Sequence, residues 1–475
     1  MAKYKTTIGL EVHVQLKACS KMFCGCSTHF GAPANTHVCP VCLGYPGSLP
    51  VMNREAIRLT VLSGLMLGCR INPYSKFDRK NYFYPDMPKN YQITQYDKPL
   101  CLGGSVEIVV NDKVKRIGIT RIHLEEDVAK NLHMNSWSGI DYNRAGVPLM
   151  EIVSEPEMES ADDAFLYLQT LRQILTYADV SDCNLEEGNM RCDVNISVRP
   201  EGQEKLGTKT ELKNLNTFKG AHNAMLYEIA RQVELLQAGE RIIQETRRWD
   251  VDTGRTYSMR TKEDAHDYRY FPEPDLMPVI LSDSLVAEWA ATLPELPSQR
   301  RMRFAQQYGI PEYDSRVLSA EKNVGDYFEK AATLSRFPKA VSNWVMTDIL
   351  RTLSEQGIPI DQFSITPEAL VELIELTETR VINSNTAKDV FGFMLTEGGR
   401  AGDIVKSRGL AQVSDSDAIQ KIIDETIAGN CKSVQDYRNG KEAALKFLVG
   451  QVMKISKGKA NPQMATEMLI KRLSA

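Results

Sequence analysis

Three stretches of the chain set chargeable side chains at alternate positions: "IGLEVHVQL" (8–16), "IGITRIHLEED" (117–127) and "NMRCDVNISVR" (189–199). Successive side chains of an extended strand point to opposite faces. Glu11 and His13 therefore share one face of the first stretch, while Ile8, Leu10, Val12, Val14 and Leu16 share the other. In the third stretch Arg191, Asp193, Asn195, Ser197 and Arg199 oppose Met190, Cys192, Val194, Ile196 and Val198. The second ends in Glu125, Glu126 and Asp127 after Arg121 and His123. Paired in an antiparallel sheet, the three would gather carboxylates, imidazole and guanidinium groups on one surface. Such a surface can hold Mg²⁺ through oxygen ligands and steer phosphates with guanidinium groups. A merely solvated sheet face alternates in the same way, and for the first strand alone that reading is the better one. Three strands with metal-type chemistry tip the balance toward a site.

The elements that must position these strands belong to a large soluble protein. At 475 residues the chain is too long for one core, so two or three domains are expected. Hydrophobic residues make up 43%, charged residues 25%, and the net charge is only −4, which describes a globular chain. "LTVLSGLMLGC" (59–69) is too short to span a membrane. The start, "MAKYKTTIGLEV", carries neither an apolar leader core nor an Arg- and Ser-rich transit segment, so a cytoplasmic location is expected.

Ten cysteines in a chain of this length do not suggest a secreted disulfide framework. Cys24 and Cys26, then Cys39 and Cys42, lie in a Gly- and Pro-rich stretch that offers little core for buried thiols to fill. In a reducing compartment two such pairs read as a tetrahedral structural zinc site, although the first pair is one residue tighter than usual. Four thiolates would close that site to substrate. The alternative is a set of buried free thiols.

Residues 1–292 mix strands and helices and form the first expected domain. One amphipathic helix starts near Ser160, with Phe165, Leu168, Leu171 and Leu175 on a stripe, and ends around Ala178. A second runs from about Phe218 through Leu236, with Gly239 suited to its end. "LPELPSQR" (293–300) reads as a hinge, after which strand signals vanish. A helical domain over 293–405 is expected, with Pro311, Pro338 and Pro359 as helix stops, and "TEGGRAGD" (396–403) as the next break. The tail, 406–475, holds 12 Lys/Arg against 7 Asp/Glu, a net of +5, on a chain that is acidic elsewhere. Its loop "KISKGKANP" (454–462) presents Lys454, Lys457 and Lys459, which suit an anionic partner such as RNA or are simply a solvated charge run.

Absent motifs narrow the chemistry. The sequence has no G-x-x-x-x-G-K-[ST], no strand-linked G-x-G-x-x-G, no G-x-S-x-G and no H-E-x-x-H. It also lacks the Gly/Ser-rich stretch with a Ser-Ser-Lys arrangement expected of an amidase. Phosphoryl transfer or ligation fits metal-bound carboxylates and positive side chains.

Four denser segments, "SKFDRKNYFYPDMPKNYQITQYD" (75–97), "GTKTELKNLNTF" (207–218), "QETRRWD" (244–250) and "MRTKEDAHDYRYFPEPDL" (259–276), are poor core material. With "IGLEVHVQL", "HLEED" and "RCDVNISVR", and with the tail's "FLVGQVMKISKGKANPQ", they closely resemble the B-subunit family of aspartyl/glutamyl-tRNA amidotransferases over essentially the whole chain. The resemblance implies ATP-dependent activation and amidation of the side-chain carboxylate of glutamate or aspartate mischarged on tRNA(Gln) or tRNA(Asn). Ammonia would come from a partner amidase (glutaminase), the A-subunit, beside a small C-subunit. The implied fold is α+β: an antiparallel-sheet cradle resembling glutamine synthetase, followed by two small all-α domains.

The resemblance also implies roles. Glu11, His13, Glu125 and Glu126 become the expected Mg²⁺ ligands or their close neighbours. Asp193 and Asn195 would complete the metal and ATP site, and Lys80 with Arg191 would neutralise phosphoryl charge. Tyr82 and Tyr84 would line the aminoacyl pocket, and Lys209, Glu211 and Lys213 would face the site from one strand. Arg260, Lys262, Tyr268 and Arg269 would meet phosphate or the tRNA acceptor end, or else pair with neighbouring carboxylates. The basic tail would touch the tRNA body. Zinc at the cysteines would brace the cradle. Two other readings stand beside this one: a non-catalytic tRNA-binding scaffold for the amidase, and a free-standing ligase for a small carboxylic acid.

Overall fold

The first alternating stretch lies in a long strand, β1 (Tyr4–Gln15), at the middle of a large sheet. The further elements that position the site are α1 (Arg54–Met66), β2 (Asp78–Asn81), β3 (Tyr91–Thr94), β4 (Ser105–Val110) and β5 (Lys113–Glu126). They continue with β6 (Pro148–Ser154), α2 (Ala161–Tyr177), β7 (Met190–Pro200), β8 (Thr210–Lys213), α3 (Phe218–Gln237), β9 (Glu245–Asp250) and β10 (Arg255–Thr261). This computed structural model describes residues 3–185, 187–261, 268–412, 416–456, 460 and 462–473. Two compact units divide the chain, Met1–Leu296 and Pro297–Ala475.

In the first unit the sheet runs β10-β9-β8-β7-β1-β6-β5 and continues through the short strands Cys101–Leu102 and Arg70–Ile71. β4 and β5 form a hairpin, and Asn111 and Asp112 between them both have positive φ (50° and 61°), the geometry of a tight two-residue turn. The sheet is not wholly antiparallel as expected, because β8 and β9 run parallel. A parallel pair needs a long crossover, and α3 supplies it.

The two amphipathic helices form where their caps and stripes place them. Ser160 Oγ accepts from the Asp163 amide at 3.0 Å to start α2, and Thr217 Oγ1 accepts from Gly220 N at 2.9 Å to start α3. Their buried residues, among them Leu168, Leu171, Leu175, Ala221 and Met225, join Ile8, Leu10, Val12 and Val14 of β1 in one core. Leu10 is 1% exposed, so Leu10→Ala should cost about 2–5 kcal/mol. One face of the sheet is thereby sealed with apolar side chains, and the polar face is left for the site.

The second unit is built of helices, and its buried side chains form two clusters, one from Phe304 to Val405 and one from Ile419 to Leu473. The prolines expected as stops each follow a helix end, Pro311 after Pro297–Tyr308, Pro338 after Lys322–Leu334 and Pro359 after Leu350–Gln356, and each also stands at the start of the next helical segment. Pro338 opens helix Pro338–Trp344, and Pro311 and Pro359 sit just before helical segments Glu312–Leu318 and Ile360–Gln362. Pro has no amide hydrogen to lose at those positions and its fixed φ suits a first turn. Among the described residues no helix is long and apolar enough to cross a membrane.

Candidate active site

Strand register gathers the polar residues into rows across the sheet. Glu11 stands opposite Asp193 on β7 and Val153 on β6, while His13 stands opposite Arg191 and Glu151. Glu151 is in turn opposite His123 on β5, and Asn195 is opposite Glu211 on β8. Because all of these pairs lie on the face away from α2 and α3, two clusters of metal-type donors arise side by side. One is His13, Glu125 and Glu151; the other is Glu11, Asp193 and Glu211; within each, one ligand atom per residue lies within 4.8 Å of the others.

The first cluster is held by imidazole–carboxylate contacts. His13 Nδ1 lies 3.3 Å from Glu125 Oε1 and 3.9 Å from Glu151 Oε2, and His123 Nε2 lies 3.3 Å from Glu151 Oε2. Burial opposes a charge on His13, but its contact with Glu125 and the Glu151 and Glu125 carboxylates outweigh burial and raise its pKa to about 9. Burial likewise works against the Glu151 carboxylate, yet His123, His13 and Lys80 hold its pKa well below the usual range. The second cluster is crowded with negative charge. Burial, then Glu151, Asp193 and Glu211, push Glu11 upward, against one hydrogen bond from Asn195 Nδ2 at 3.0 Å. Lys213 pairs with Asp193 and lies 3.3 Å from Glu211 Oε1; despite burial these carboxylates raise it to about 12. Thr246 Oγ1 donates to Glu211 Oε2 at 2.7 Å. A concentration of carboxylate oxygens with cations at its edges is the donor set of a hard divalent ion.

Glu11, His13, Glu125, Asp193, Asn195, Glu211 and Lys213 thus come together. Lys80 lies near them: burial opposes its charge, but Glu125, Tyr270 and Glu151 raise its pKa, and its Nζ sits 4.9 Å from the centre of the Tyr268 ring. Tyr82 packs edge-on to Tyr268 at 6.4 Å, whereas Tyr84 is 52% exposed. Arg191 donates from Nη2 to Asp127 Oδ1 at 2.9 Å, so one end of its guanidinium is already engaged. Lys209 precedes β8 and lines a cleft of about 510 Å³ with Thr7, Glu11, Asn195, Lys205 and Thr208. Glu126 stands apart from the His13 cluster. It pairs with Lys89 and accepts from the Ile93 amide at 2.9 Å. Adjacent residues of one strand face opposite ways, so Glu125 and Glu126 cannot share a site.

Glu151 was not among the residues expected from the sequence. It sits between Leu149, Met150, Ile152 and Val153, an apolar run that conceals the alternation of the strand, although Met150 and Ile152 are buried and Glu151 and Val153 only half-buried. Its only sequence signal is a charge inside such a run. Asn81 Nδ2 donates to the backbone carbonyl of Arg269 at 2.9 Å, while the side chain of Arg260 and all of Lys262 lie outside the described residues.

Cys24, Cys26, Cys39 and Cys42 converge, with one Sγ of each within 4.8 Å of the others. Their hydrogen-bonding environment favours thiolate at Cys42: contact with Cys24 and the Cys39 backbone amide, together with the nearby Lys21 ammonium, lower its pKa against burial, while Cys24 moves upward. In the second unit Lys454 is exposed in the last turn of helix Ala443–Ile455; Lys457 and Lys459 lie outside the described residues.

Comparison with known proteins matches residues 6–287 to a family described as the GatB/GatE catalytic domain, and residues 326–473 to the GatB domain. The chain is 54% identical over 473 residues to the aspartyl/glutamyl-tRNA(Asn/Gln) amidotransferase B-subunit of Thermoanaerobacter sp. strain X514, covering 99% of this chain and all of that protein. The B-subunit of Thermodesulfovibrio yellowstonii is 54% identical over 472 residues, with 99% of each chain covered. That of Carboxydothermus hydrogenoformans is 51% identical over 479 residues, with both chains covered completely.

Proposed function

The chain belongs to the GatB/GatE catalytic-domain family, and from that premise we propose that its polar sheet face is where a mischarged aminoacyl-tRNA is activated by ATP and amidated. The chain is part of an amidotransferase, a ligase of protein biosynthesis in which it works with an amidase A-subunit and a small C-subunit on tRNA bearing glutamate or aspartate. The observation that carries the site assignment is the pair of adjacent donor clusters, His13–Glu125–Glu151 and Glu11–Asp193–Glu211, flanked by Lys80 and Lys213.

A carboxylate resists attack by ammonia because its oxygen is a poor leaving group. Transfer of the γ-phosphoryl group of ATP to that oxygen forms an acyl phosphate and ADP. Ammonia then adds to the carbonyl carbon, and the C–O bond to phosphate breaks, leaving the amide on tRNA and free phosphate. The crowded carboxylates fit Mg²⁺, which Glu11, His13, Glu125, Glu151, Asp193 and Glu211 would hold; it would offset phosphoryl charge. The cleft beside Glu11, with Lys205, Thr208 and Lys209, suits the ATP phosphates. Lys80 faces the developing negative charge from the side of Glu125 and Glu151, and Lys213 keeps Asp193 and Glu211 in place. Tyr82 and Tyr84 border the aminoacyl group. Arg191, anchored by Asp127, contributes positive charge to this face from beside His13.

The four cysteines fit zinc by donor type and mutual approach, in a closed structural site. We assign the first 292 residues to a cradle of the glutamine synthetase type, 293–405 to a helical domain, and 406–475 to a tRNA-contacting tail that includes Lys454, Lys457 and Lys459. The break between the two compact units and the two hydrophobic clusters of the second support this division.

The test uses the complex with its partner subunits, glutamyl-tRNA(Gln), Mg²⁺ and ammonium chloride. Conversion to glutaminyl-tRNA should require ATP and be lost in Asp193→Ala while tRNA binding is kept. Conversion that survives Asp193→Ala would favour a scaffold role.

A further inference from the structure

Arg121 stands on β5 two residues before His123 and four before Glu125, and shares their face of the strand. A bulge puts it there. The register between β5 and β6 shifts at Thr120, with Arg121 opposite Val153 but Ile119 opposite Ser154. Ile119 and Ile122 therefore both join the core, and Arg121 is released from the apolar row of Ile117 and Ile119 onto the polar face. Val153 is in turn opposite Glu11, so Arg121 extends the row of Glu11 and Asp193 as His123 extends that of His13 and Glu151.

Other cations of the first unit are matched with carboxylates. Lys213 pairs with Asp193, Arg191 with Asp127 and Lys89 with Glu126. Arg121 is half-buried, yet among the described residues it has no ion pair and no hydrogen bond, and its Nε is buried without a partner. The acids just past β6 take neutral donors instead. Thr120 Oγ1 donates to Glu155 Oε1 at 2.8 Å, and the Gly118 amide donates to Glu157 Oε2 at 2.8 Å. The cross-strand neighbour on the other side, Leu102, is apolar. A guanidinium that loses water without gaining an acceptor does not serve stability. Its fork of donors suits the oxygens of a phosphoryl group.

The position selects that anion. Val153 lines the cleft of about 510 Å³ shared by Glu11, Asn195, Thr208 and Lys209. Strands lie about 4.8 Å apart, so the Arg121 and Glu11 backbones are roughly 10 Å apart, a span that an arginine side chain and a phosphoryl group fill together. We infer that Arg121 is a catalytic residue of the activation step, its guanidinium binding the γ-phosphoryl oxygens of ATP. As the P–O bond to ADP breaks and the bond to the substrate carboxylate forms, those oxygens keep their negative charge, and Arg121 holds them without giving up a proton. The inference rests on the reading of this face as the site of activation by ATP.

The test uses the purified three-subunit complex. Arg121→Met should lower glutamyl-tRNA-stimulated ADP formation by roughly 10²–10³-fold. Calorimetry should show binding of the nonhydrolysable analogue AMP-PNP, with Mg²⁺, weakened roughly 10–100-fold, while ADP, which lacks the γ-phosphoryl group, binds within about twofold of wild type. No protein group loses a partner, so the melting temperature without nucleotide should be unchanged, which a structural ion-pair role would not allow. Arg121→Lys keeps the charge but not the fork and should recover only part of both. AMP-PNP affinity and ADP formation within twofold of wild type in Arg121→Met would overturn the inference. So would a raised KM for glutamyl-tRNA with AMP-PNP affinity intact, which would give the guanidinium to the aminoacyl carboxylate. Should Arg121→Met fail to fold, Arg121→Lys with wild-type AMP-PNP affinity and ADP formation overturns it instead. Asp193→Ala separates the two layers. If it keeps stimulated ADP formation, the reading of this face fails; if it loses it while Arg121→Met does not, only the role of Arg121 fails.

Discussion

The charged groups of the sheet face and those of the C-terminal helices differ in their surroundings more than in their number. On the sheet face the carboxylates and imidazoles sit 3.3–4.0 Å apart in a largely buried layer, with His123 and Glu125 almost wholly buried. Near the C-terminus Lys441 pairs with Asp436 at 2.8 Å, but the lysine side chain is 68% exposed, and Lys454 is exposed as well. Charges attract or repel several times more strongly where water is excluded. The same residue types are therefore suited to catalysis on the sheet and to salt-sensitive contact with a polyanion on the tail. The cysteine loop is a third case, in which four soft thiol sulfurs lie within 4.8 Å of one another.

Substitutions should separate these regions in order of effect. Glu151→Gln keeps size and removes one carboxylate charge from between His13 and His123; kcat for amidation with ammonium supplied should fall by roughly 10²–10³-fold, with tRNA affinity retained. An equal loss of tRNA affinity would erase the contrast with the tail. Lys213→Met leaves Asp193 and Glu211 without their shared cation, and a fall of roughly tenfold or more in kcat/KM for ATP is expected in steady-state assays. Cys39→Ser should lower the melting temperature of the first unit by roughly 5 °C or more, read by calorimetry, and reduce bound zinc. A variant that keeps its zinc and melting temperature would return the four cysteines to free thiols. The smallest effect belongs to the tail. Neutralising Lys454, Lys457 and Lys459 together should leave kcat unchanged and flatten the salt dependence of tRNA binding by about two in logarithmic slope.

Much of the sheet was legible because alternation is a local property. β1 and β7 each show one apolar and one polar row, and Ser160 caps its helix as expected, whereas the matching cap of the second helix, Thr217, was not singled out. What lay hidden depends on neighbours. Glu151 stands half-buried in an apolar run, and only register with His13 and His123 gives it a role. Glu126 looked equivalent to Glu125 as part of an acidic run, although the period of two sends it to the other side, toward Lys89. The parallel pairing of β8 and β9 followed from the crossover by α3, a consequence of topology that strand patterns do not carry. Pro311, Pro338 and Pro359 follow helix ends as expected, and the missing amide hydrogen also suits them to the starts of the segments that come next, which the pattern of stops alone did not show.

The most direct measurement withholds ammonia and glutamine from the three-subunit complex and follows ADP formation from ATP with and without glutamyl-tRNA(Gln). If the sheet face activates the carboxylate, glutamyl-tRNA should stimulate ADP formation in the wild-type complex and fail to do so in Glu151→Gln. Glutamyl-tRNA-stimulated ADP formation of wild-type size in Glu151→Gln would contradict activation at this face and move it to another part of the complex.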